Sequence, residues 1–229
     1  MELKDRIYIL VVIKNYNNLI HNFKHYMNNQ NQEDKLRIRS VQELFYQMEG
    51  LLVLRKVLSS TLKKWFLSGG TLLGAYRDGD FIPWDWDVEV TVLTEEAINK
   101  KNLIINKLLE SGFKLKKIDP SKENFKIVAE GWGTKYEILG RHLDKYGNSR
   151  VRLMTKVPSK FFEKIQIIKL RGHNFPAPSP TEGFLEALYG NWKIPVKTTD
   201  KKSYFSANAY IQRKQNIYEK FLKWISSLI

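Results

Sequence analysis

Residues 67–90 combine a glycine pair with a later segment in which acidic and apolar residues alternate. Alternate residues of a β-strand point to the same face, about 7 Å apart, so Asp85, Asp87 and Glu89 are predicted to share one face. Three like charges repel each other, and a divalent metal bound to a phosphate-bearing substrate would neutralise them. The alternative is a solvated edge strand, which leaves the glycines and Pro83 unexplained.

These residues resemble the signature of the LicD family, which includes bacterial phosphocholine transferases and the animal proteins fukutin and fukutin-related protein. The matching positions are Gly69 to Ala75, Arg77, Phe81 to Asp85 and the alternating carboxylates. A second, less specific match lies at Phe175 to Pro178, Phe184, Leu185 and Leu188 to Gly190. The resemblance implies an α/β (α+β) fold, with a nucleotidyltransferase-like mixed sheet flanked by helices.

The resemblance also implies metal ligands and catalytic carboxylates. Asp87 and Glu89 match the family's metal-holding pair, and Asp85 would bind a second metal or orient the site. The fold requires a third carboxylate from a neighbouring strand. Glu137 is preferred for this role because its apolar neighbours would point away from it, and Glu130 is the rival. The implied cofactor is Mg²⁺ or Mn²⁺.

A phosphate-binding region is predicted beside the carboxylates. Gly69 and Gly70 lack a Cβ, so a phosphate could approach the backbone N–H groups there, and a helix N-terminus adds positive potential. Ser68 and Thr71 would either donate hydroxyls to a phosphate or cap that helix.

Three further side chains near the carboxylates each have two interpretations. Arg77, taken as the only cation near the acidic strand, would grip a phosphate bidentately or pair with Asp78 or Asp80. Trp84 and Trp86 would stack on a base or pack in the core, and core packing is the commoner outcome.

The charge of the 229-residue chain is unevenly distributed. The net charge is +14, yet residues 78–96 hold seven acidic residues and no Lys or Arg, whereas residues 141–171 hold nine basic and two acidic residues. A negative pocket in a positive protein suits a polyanionic substrate. The chain has no cysteine, which excludes disulfides and thiolate metal sites and fits a reducing compartment.

Hydrophobic periodicity and turn residues predict three parts of the chain. These are an N-terminal helical extension over 1–39, with a helix at 5–28, a catalytic domain over 40–195, and a basic amphipathic C-terminal helix within 196–229. In the domain, Ser40 and Glu43 form a capping box for a helix to about Leu62. Strands are predicted at 65–67, 81–83, 85–93, 113–117, 125–129 and 135–139, with a turn at 131–133. Further helices are predicted from about Thr71, over 94–112 and over 181–189, with irregular chain from Val151 and a loop at 175–180.

The early apolar run Ile7–Ile13 is too short to span a bilayer, and the pattern of a signal peptide is missing. We therefore expect a cytoplasmic protein, with the tail offering a peripheral contact at the inner face of the membrane.

By resemblance, the expected activity is transfer of phosphocholine or a polyol phosphate from a CDP-linked donor. The acceptor would be a sugar hydroxyl of an anionic or phosphorylated surface glycan, such as lipopolysaccharide or teichoic acid, and CMP would be released. One alternative is true nucleotidyl transfer with pyrophosphate release. Another is a non-catalytic basic module for nucleic acid or membrane, which is disfavoured because binding does not need clustered carboxylates.

Overall fold

The computed structural model describes residues 37–198, 200 and 203–209. The helices are α1 (Val41–Ser59), α2 (Gly69–Arg77), α3 (Thr94–Asn99), α4 (Lys101–Glu110) and α5 (Thr181–Tyr189), with a 3₁₀ turn at Ser159–Phe162. The strands are β1 (Trp65–Leu67), β2 (Asp87–Leu93), β3 (Lys114–Asp119), β4 (Lys126–Gly131), β5 (Thr134–Leu143), β6 (Ser149–Arg152), β7 (Thr155–Pro158), β8 (Ile165–Leu170) and β9 (His173–Pro178). The predicted helix at 5–28, and nearly all of the one at 208–229, lie outside these residues.

The main sheet is mixed and has the order β1-β2-β5-β4-β3. β2 and β5 run parallel, whereas β1 is antiparallel to β2 and β4 is antiparallel to β5 and β3. β6 and β7 extend the sheet from the end of β5, and β8 and β9 form a separate two-stranded sheet. With helices packed around it, this sheet confirms the predicted fold class.

Helix α1 begins as the sequence predicts and ends earlier. The Ser40 hydroxyl accepts from the Glu43 N–H, and the Glu43 carboxylate accepts from the Ser40 N–H, completing the capping box. The helix ends at Ser59 rather than Leu62, and the chain closes it with a tighter turn in which the Thr61 N–H donates to the Leu58 carbonyl at 3.1 Å. No helix in the described part of the chain is long and apolar enough to cross a bilayer.

Two predicted elements between residues 81 and 112 are wrong. Residues 81–83 do not re-enter the sheet, since the Asp85 N–H donates to the Ile82 carbonyl at 2.9 Å and closes a turn. The single helix predicted over 94–112 is two helices, which separate at Lys100. The Lys100 ammonium there donates to the Thr61 carbonyl at 2.7 Å and anchors the break.

The chain beyond Val151 is more regular than predicted. Strand β6 spans this point, β7 to β9 follow it, and residues 175–178 belong to β9 rather than to a loop. Prolines are accommodated because β9 pairs on one side only, within a two-stranded sheet. Helix α5 has the predicted bounds and is followed by Gly190 at φ +67°, a backbone angle that favours glycine.

Candidate active site

The parallel pairing of β2 with β5 brings the predicted carboxylates of the two strands together. Glu89 lies opposite Glu137 in the register, and Asp87 lies opposite Lys135. Because paired residues of parallel strands point to the same face, these four side chains share one side of the sheet. Asp85 precedes β2 and belongs to the turn, so the predicted alternation holds in the strand for two carboxylates rather than three.

The glycine pair makes room for carboxylates at the N-terminus of α2. A Cβ on Gly69, whose φ is +54°, would overlap the Glu89 carboxylate, and a Cβ on Gly70 would overlap the Asp85 carboxylate. The Gly70 N–H donates to Glu89 Oε2 at 3.3 Å. The helix N-terminus therefore supplies positive potential to side-chain carboxylates where a phosphate was expected.

Asp85 and Glu89 are held in an environment that disfavours their charged forms. Burial raises the pKa of Asp85 well above its ordinary value, and the Asp87 and Glu89 carboxylates raise it further. Burial also raises the pKa of Glu89 to about 7, with smaller contributions from Asp87 and Glu137. Both carboxyls would gain from a nearby positive charge.

Glu137 is instead neutralised by two lysines. It is 7% exposed and pairs with Lys126 at 2.6 Å and Lys135 at 2.9 Å. Burial alone would raise its pKa, but hydrogen bonds from both lysines lower it overall. Lys135 also pairs with Asp87 at 3.1 Å and links the two strands. Glu130, the rival third carboxylate, pairs with Lys116 on the surface.

These side chains line a cavity of about 690 Å³. Its acidic wall contains Asp85, Asp87, Glu89 and Glu137. Its basic side chains are Arg77, Lys126, Lys135, Arg141 and Arg152, and its aromatic ones are Trp84, Trp86, Tyr189, Trp192, Tyr204 and Phe205. The cavity thus offers cationic and aromatic groups beside a cluster of carboxylates.

The hydroxyls expected to bind a phosphate or cap a helix have other hydrogen-bond partners. The Thr91 hydroxyl donates to the Ser68 hydroxyl at 2.8 Å, and the Thr71 hydroxyl accepts from the Glu89 N–H at 2.9 Å. Thr71 thereby fixes the strand that carries the carboxylates. Arg77 lines the cavity but pairs with Asp78 at 2.7 Å, the second of its two predicted roles. The phosphate-binding roles stay predictions.

Trp84 and Trp86 line the cavity rather than filling the core. The ring of Trp86 lies 4.4 Å from the Arg37 guanidinium and 4.8 Å from that of Arg39. Arg39 is buried and donates to the Trp86 carbonyl at 3.0 Å, while its N–H donates to the Pro83 carbonyl at 2.8 Å. These contacts hold the turn that presents Asp85.

Sequence reasoning missed most of the cations in the cavity, so the prediction that Arg77 is the only one near the carboxylates is wrong. The signal was present in the alternation of Lys135, Glu137, Leu139 and Arg141, which places all four on one face of β5. Lys126 and Arg152 reach the cavity only through strand pairing, which leaves no local pattern.

The oxygen donors of Asp85, Asp87 and Glu89 fit a hard divalent ion such as Mg²⁺ in their chemistry. Among the described residues, however, no three His, Cys, Asp or Glu side chains are arranged as a ready metal-binding group. Because two lysines hold Glu137, its participation would require an exchange of partners. The metal-binding and catalytic roles stay predictions.

Comparisons with known proteins agree with the motif. A family model described as LicD/FKTN/FKRP, nucleotidyltransferase domain, matches residues 63–180, just over half of the chain. The mouse ribitol-5-phosphate transferase FKTN is 30% identical over 166 residues, which cover 68% of this chain and 35% of that protein. The human ribitol 5-phosphate transferase FKRP is 45% identical over 47 residues, covering 20% of this chain and 10% of that protein.

This chain therefore matches only about a third or less of either relative's length. Among solved structures, a putative nucleotidyltransferase from Thermotoga maritima is similar with a TM-score of 0.37 and 20% identity, over 59% of this chain and 81% of that one. On the extent of the family match, the chain belongs to the LicD/FKTN/FKRP family and contains its nucleotidyltransferase domain.

Proposed function

We propose that this protein transfers a phospho-alcohol, either a polyol phosphate such as ribitol phosphate or phosphocholine, from a CDP-linked donor to a sugar hydroxyl of a surface glycan. Family membership supports a transferase, and the FKTN and FKRP relatives are named as ribitol-phosphate transferases. The donor, the acceptor and the dependence on Mg²⁺ or Mn²⁺ are parts of the proposal.

The observation that carries the proposal is the juxtaposition of Glu89 and Glu137 on parallel strands, with Asp85 and Asp87 beside them, in a cavity that also holds cations. Carboxylates at this point suit a divalent ion, which when bound would neutralise a diphosphate. The cations that line the same cavity suit the remaining phosphate charge. Asp85, Asp87 and Glu89 are the residues that would hold the ion.

In the proposed reaction, an acceptor hydroxyl attacks the phosphorus that carries the alcohol. A new P–O bond forms to the sugar, the P–O bond to CMP breaks, and CMP leaves with the bridging oxygen. The hydroxyl proton must pass to a base. A carboxylate of the cavity that does not hold the ion would be suited to accept it.

The test is incubation of the purified protein with CDP-ribitol or CDP-choline, a phosphorylated glycan and Mg²⁺ or Mn²⁺. We expect CMP and a new phosphodiester on the sugar, detected by mass spectrometry. Pyrophosphate released from CTP, without CMP from the CDP-alcohols, would instead establish nucleotidyl transfer. An Asp87→Asn variant serves as the control for contaminating activity, since it should release neither product.

A further inference from the structure

Arg141 is a buried cation with unused hydrogen-bond donors. Its side chain is 4% exposed, and its Nε and Nη1 atoms have no hydrogen-bond partner among the described residues. Guanidinium groups that are removed from water are ordinarily paired, because an unsatisfied buried charge is costly. A partner for Arg141 is therefore expected from outside the described residues.

Two neighbouring arginines show the ordinary arrangement. Arg150 is 9% exposed and pairs with Glu95 at 3.0 Å, and it donates to the Arg141 carbonyl at 2.8 Å. Arg152 donates to the carbonyls of Phe125 and Gly140 at 3.3 Å each. Arg141 has a comparable burial without these interactions, and its backbone is held by the pairing of β5 with β2.

The unused donors belong to a residue of the candidate active site. Arg141 lies on the same face of β5 as Glu137 and Leu139, and all three line the cavity together with Arg152. The two guanidiniums repel each other. Burial, with a smaller contribution from Arg152, lowers the pKa of Arg141 to about 10. This part of the cavity therefore presents two buried positive charges that an anion would relieve.

The geometry of a guanidinium selects the class of anion. Its planar fork of N–H donors matches two oxygens of a phosphate or carboxylate. A carboxylate is already available nearby in Glu89, yet Glu89 bonds to the Gly70 N–H and contributes to Arg141 only through its more distant charge. A phosphate group of a substrate in this cavity has the required shape and charge.

We propose that Arg141, with Arg152 beside it, binds a phosphate group of the substrate inside this cavity. The inference deepens the proposed function and rests on it for the source of that phosphate, which is either the CDP-linked donor or a phosphorylated acceptor.

The test measures binding to the full-length protein by isothermal titration calorimetry in Mg²⁺ buffer. CMP represents the donor and glucose 6-phosphate represents the acceptor. The Arg141→Gln variant should bind at least one probe about tenfold or more weakly than the wild type. The Arg141→Lys variant keeps the charge but loses the planar fork of donors, so its loss of affinity should be smaller. A loss of affinity for CMP alone would show that Arg141 binds a phosphate of the donor. A loss of affinity for glucose 6-phosphate alone would show that it binds a phosphate of the acceptor.

Arg150→Gln is the burial-matched control. It should lower the melting temperature, because it breaks an existing ion pair, while probe affinity is retained. Arg141→Gln should leave the melting temperature of the unliganded protein unchanged or raise it, because it removes an unpaired charge. Unchanged affinity for both probes in Arg141→Gln, equal losses in the two variants, or no binding by the wild type would overturn the inference.

The outcomes separate this inference from the proposed function. Binding through Arg141 without CMP release from any CDP-alcohol would leave the phosphate site in place and remove the transfer reaction. CMP release together with unchanged probe binding in Arg141→Gln would support the transfer reaction and rule out the phosphate site at Arg141.

Discussion

At the residue scale, the glycine pair is explained by the side chains that lie against it. A methyl group at Gly69 or Gly70 would occupy the space of a carboxylate oxygen from Glu89 or Asp85. The motif therefore fixes where negative charge can be placed relative to the start of α2. The two glycines leave space for the carboxylates, and the helix N-terminus beside them stabilises the negative charge.

We expect Gly69→Ala to reduce activity at least a hundredfold, because the new Cβ would displace the Glu89 carboxylate. The matched control is Gly79→Ala. Gly79 also has a positive φ, +70°, but no atom lies within 4 Å of its added Cβ. Both variants should lose stability in thermal unfolding because of their positive φ, Gly69→Ala by at least as much as Gly79→Ala, whereas only Gly69→Ala should lose turnover. Equal turnover in the two variants would contradict a positioning role.

The raised pKa of Glu89 predicts a pH-dependent stability in metal-free buffer. Its pKa rises from 4.5 to about 7 on folding, so the folded state binds more protons between these values. Stability should therefore fall as the pH rises through this window. Glu89→Gln has no carboxyl to ionise, so it avoids this loss of stability. Its melting temperature should exceed the wild-type value by several degrees at pH 8.

The advantage of Glu89→Gln should shrink towards pH 4, where the wild-type carboxyl is protonated in both states. Thermal unfolding in EDTA at pH 4, 6 and 8 measures the difference. The exposed Glu110→Gln is the control and should show no such trend. A constant difference between Glu89→Gln and wild type across the pH range would disprove the assignment.

At the element scale, the register of β2 with β5 decides which third carboxylate can act. Glu137 faces the cavity beside Glu89, whereas Glu130 lies on β4 and pairs with Lys116 on the surface. Asp87→Asn, Glu89→Gln and Glu137→Gln should each reduce metal-dependent turnover about a thousandfold or more while circular dichroism stays native. Glu130→Gln should stay near the wild-type rate. Near-normal turnover in Glu137→Gln would remove it from the catalytic set.

Helix α1 depends on close approach to the sheet. A Cβ on Gly50 would overlap the Tyr136 hydroxyl, which donates to the Gln47 carbonyl at 3.0 Å. Gly50→Ala should therefore destabilise the domain by about 1–3 kcal/mol, although alanine ordinarily favours a helix interior. Glu49→Ala, at the exposed neighbour, should be nearly neutral in chemical denaturation. A stabilised Gly50→Ala variant would show that this contact relaxes freely.

Sequence patterns predicted the elements whose signals are local. The capping box of α1, the strand before the glycine pair and the turn at 132–133 all follow from neighbouring residues. Features that depend on partners far along the chain were missed, including the lysines on Glu137 and the strand at Phe175. Asp85 joins the carboxylates through a turn rather than through alternation, because Arg39 and Ile82 hold the chain there.

At the scale of the whole molecule, the net charge of the chain differs from the mixed charge of its cavity. The chain has a net charge of +14, and its cavity is lined by four acidic and five basic side chains. A polyanionic substrate would be attracted over a long distance and would then meet the basic side chains of the cavity. The predicted location of the protein in the cell, its three-part division and its glycan partner stay predictions.

The C-terminal segment 208–229 lies almost wholly outside the described residues, and its predicted behaviour can be measured directly. Its sequence places five apolar residues on one side of a helix, with four cations around them: Tyr210, Ile217, Phe221, Trp224, Leu228, Arg213, Lys214, Lys220 and Lys223. A docked surface helix is the commoner outcome of such a pattern. The membrane hypothesis expects binding to anionic vesicles at low salt, with about 1 kcal/mol per nearby cation.

Co-sedimentation of the full-length protein with phosphatidylserine vesicles measures this binding, with neutral vesicles as the control. Absence of binding, or unfolding of the domain when 208–229 is deleted, would make the segment a structural element of the domain.

The parallel pairing of β2 with β5 also has a consequence for folding kinetics. β3 and β4 intervene along the chain, so Glu89 and Glu137 meet only after a long loop has closed. The hairpin of β4 and β5 can form early from local contacts, but it contains Glu137 and none of the other carboxylates that line the cavity. During refolding, catalytic competence should consequently appear with the slowest structural phase, after most of the secondary structure has already formed.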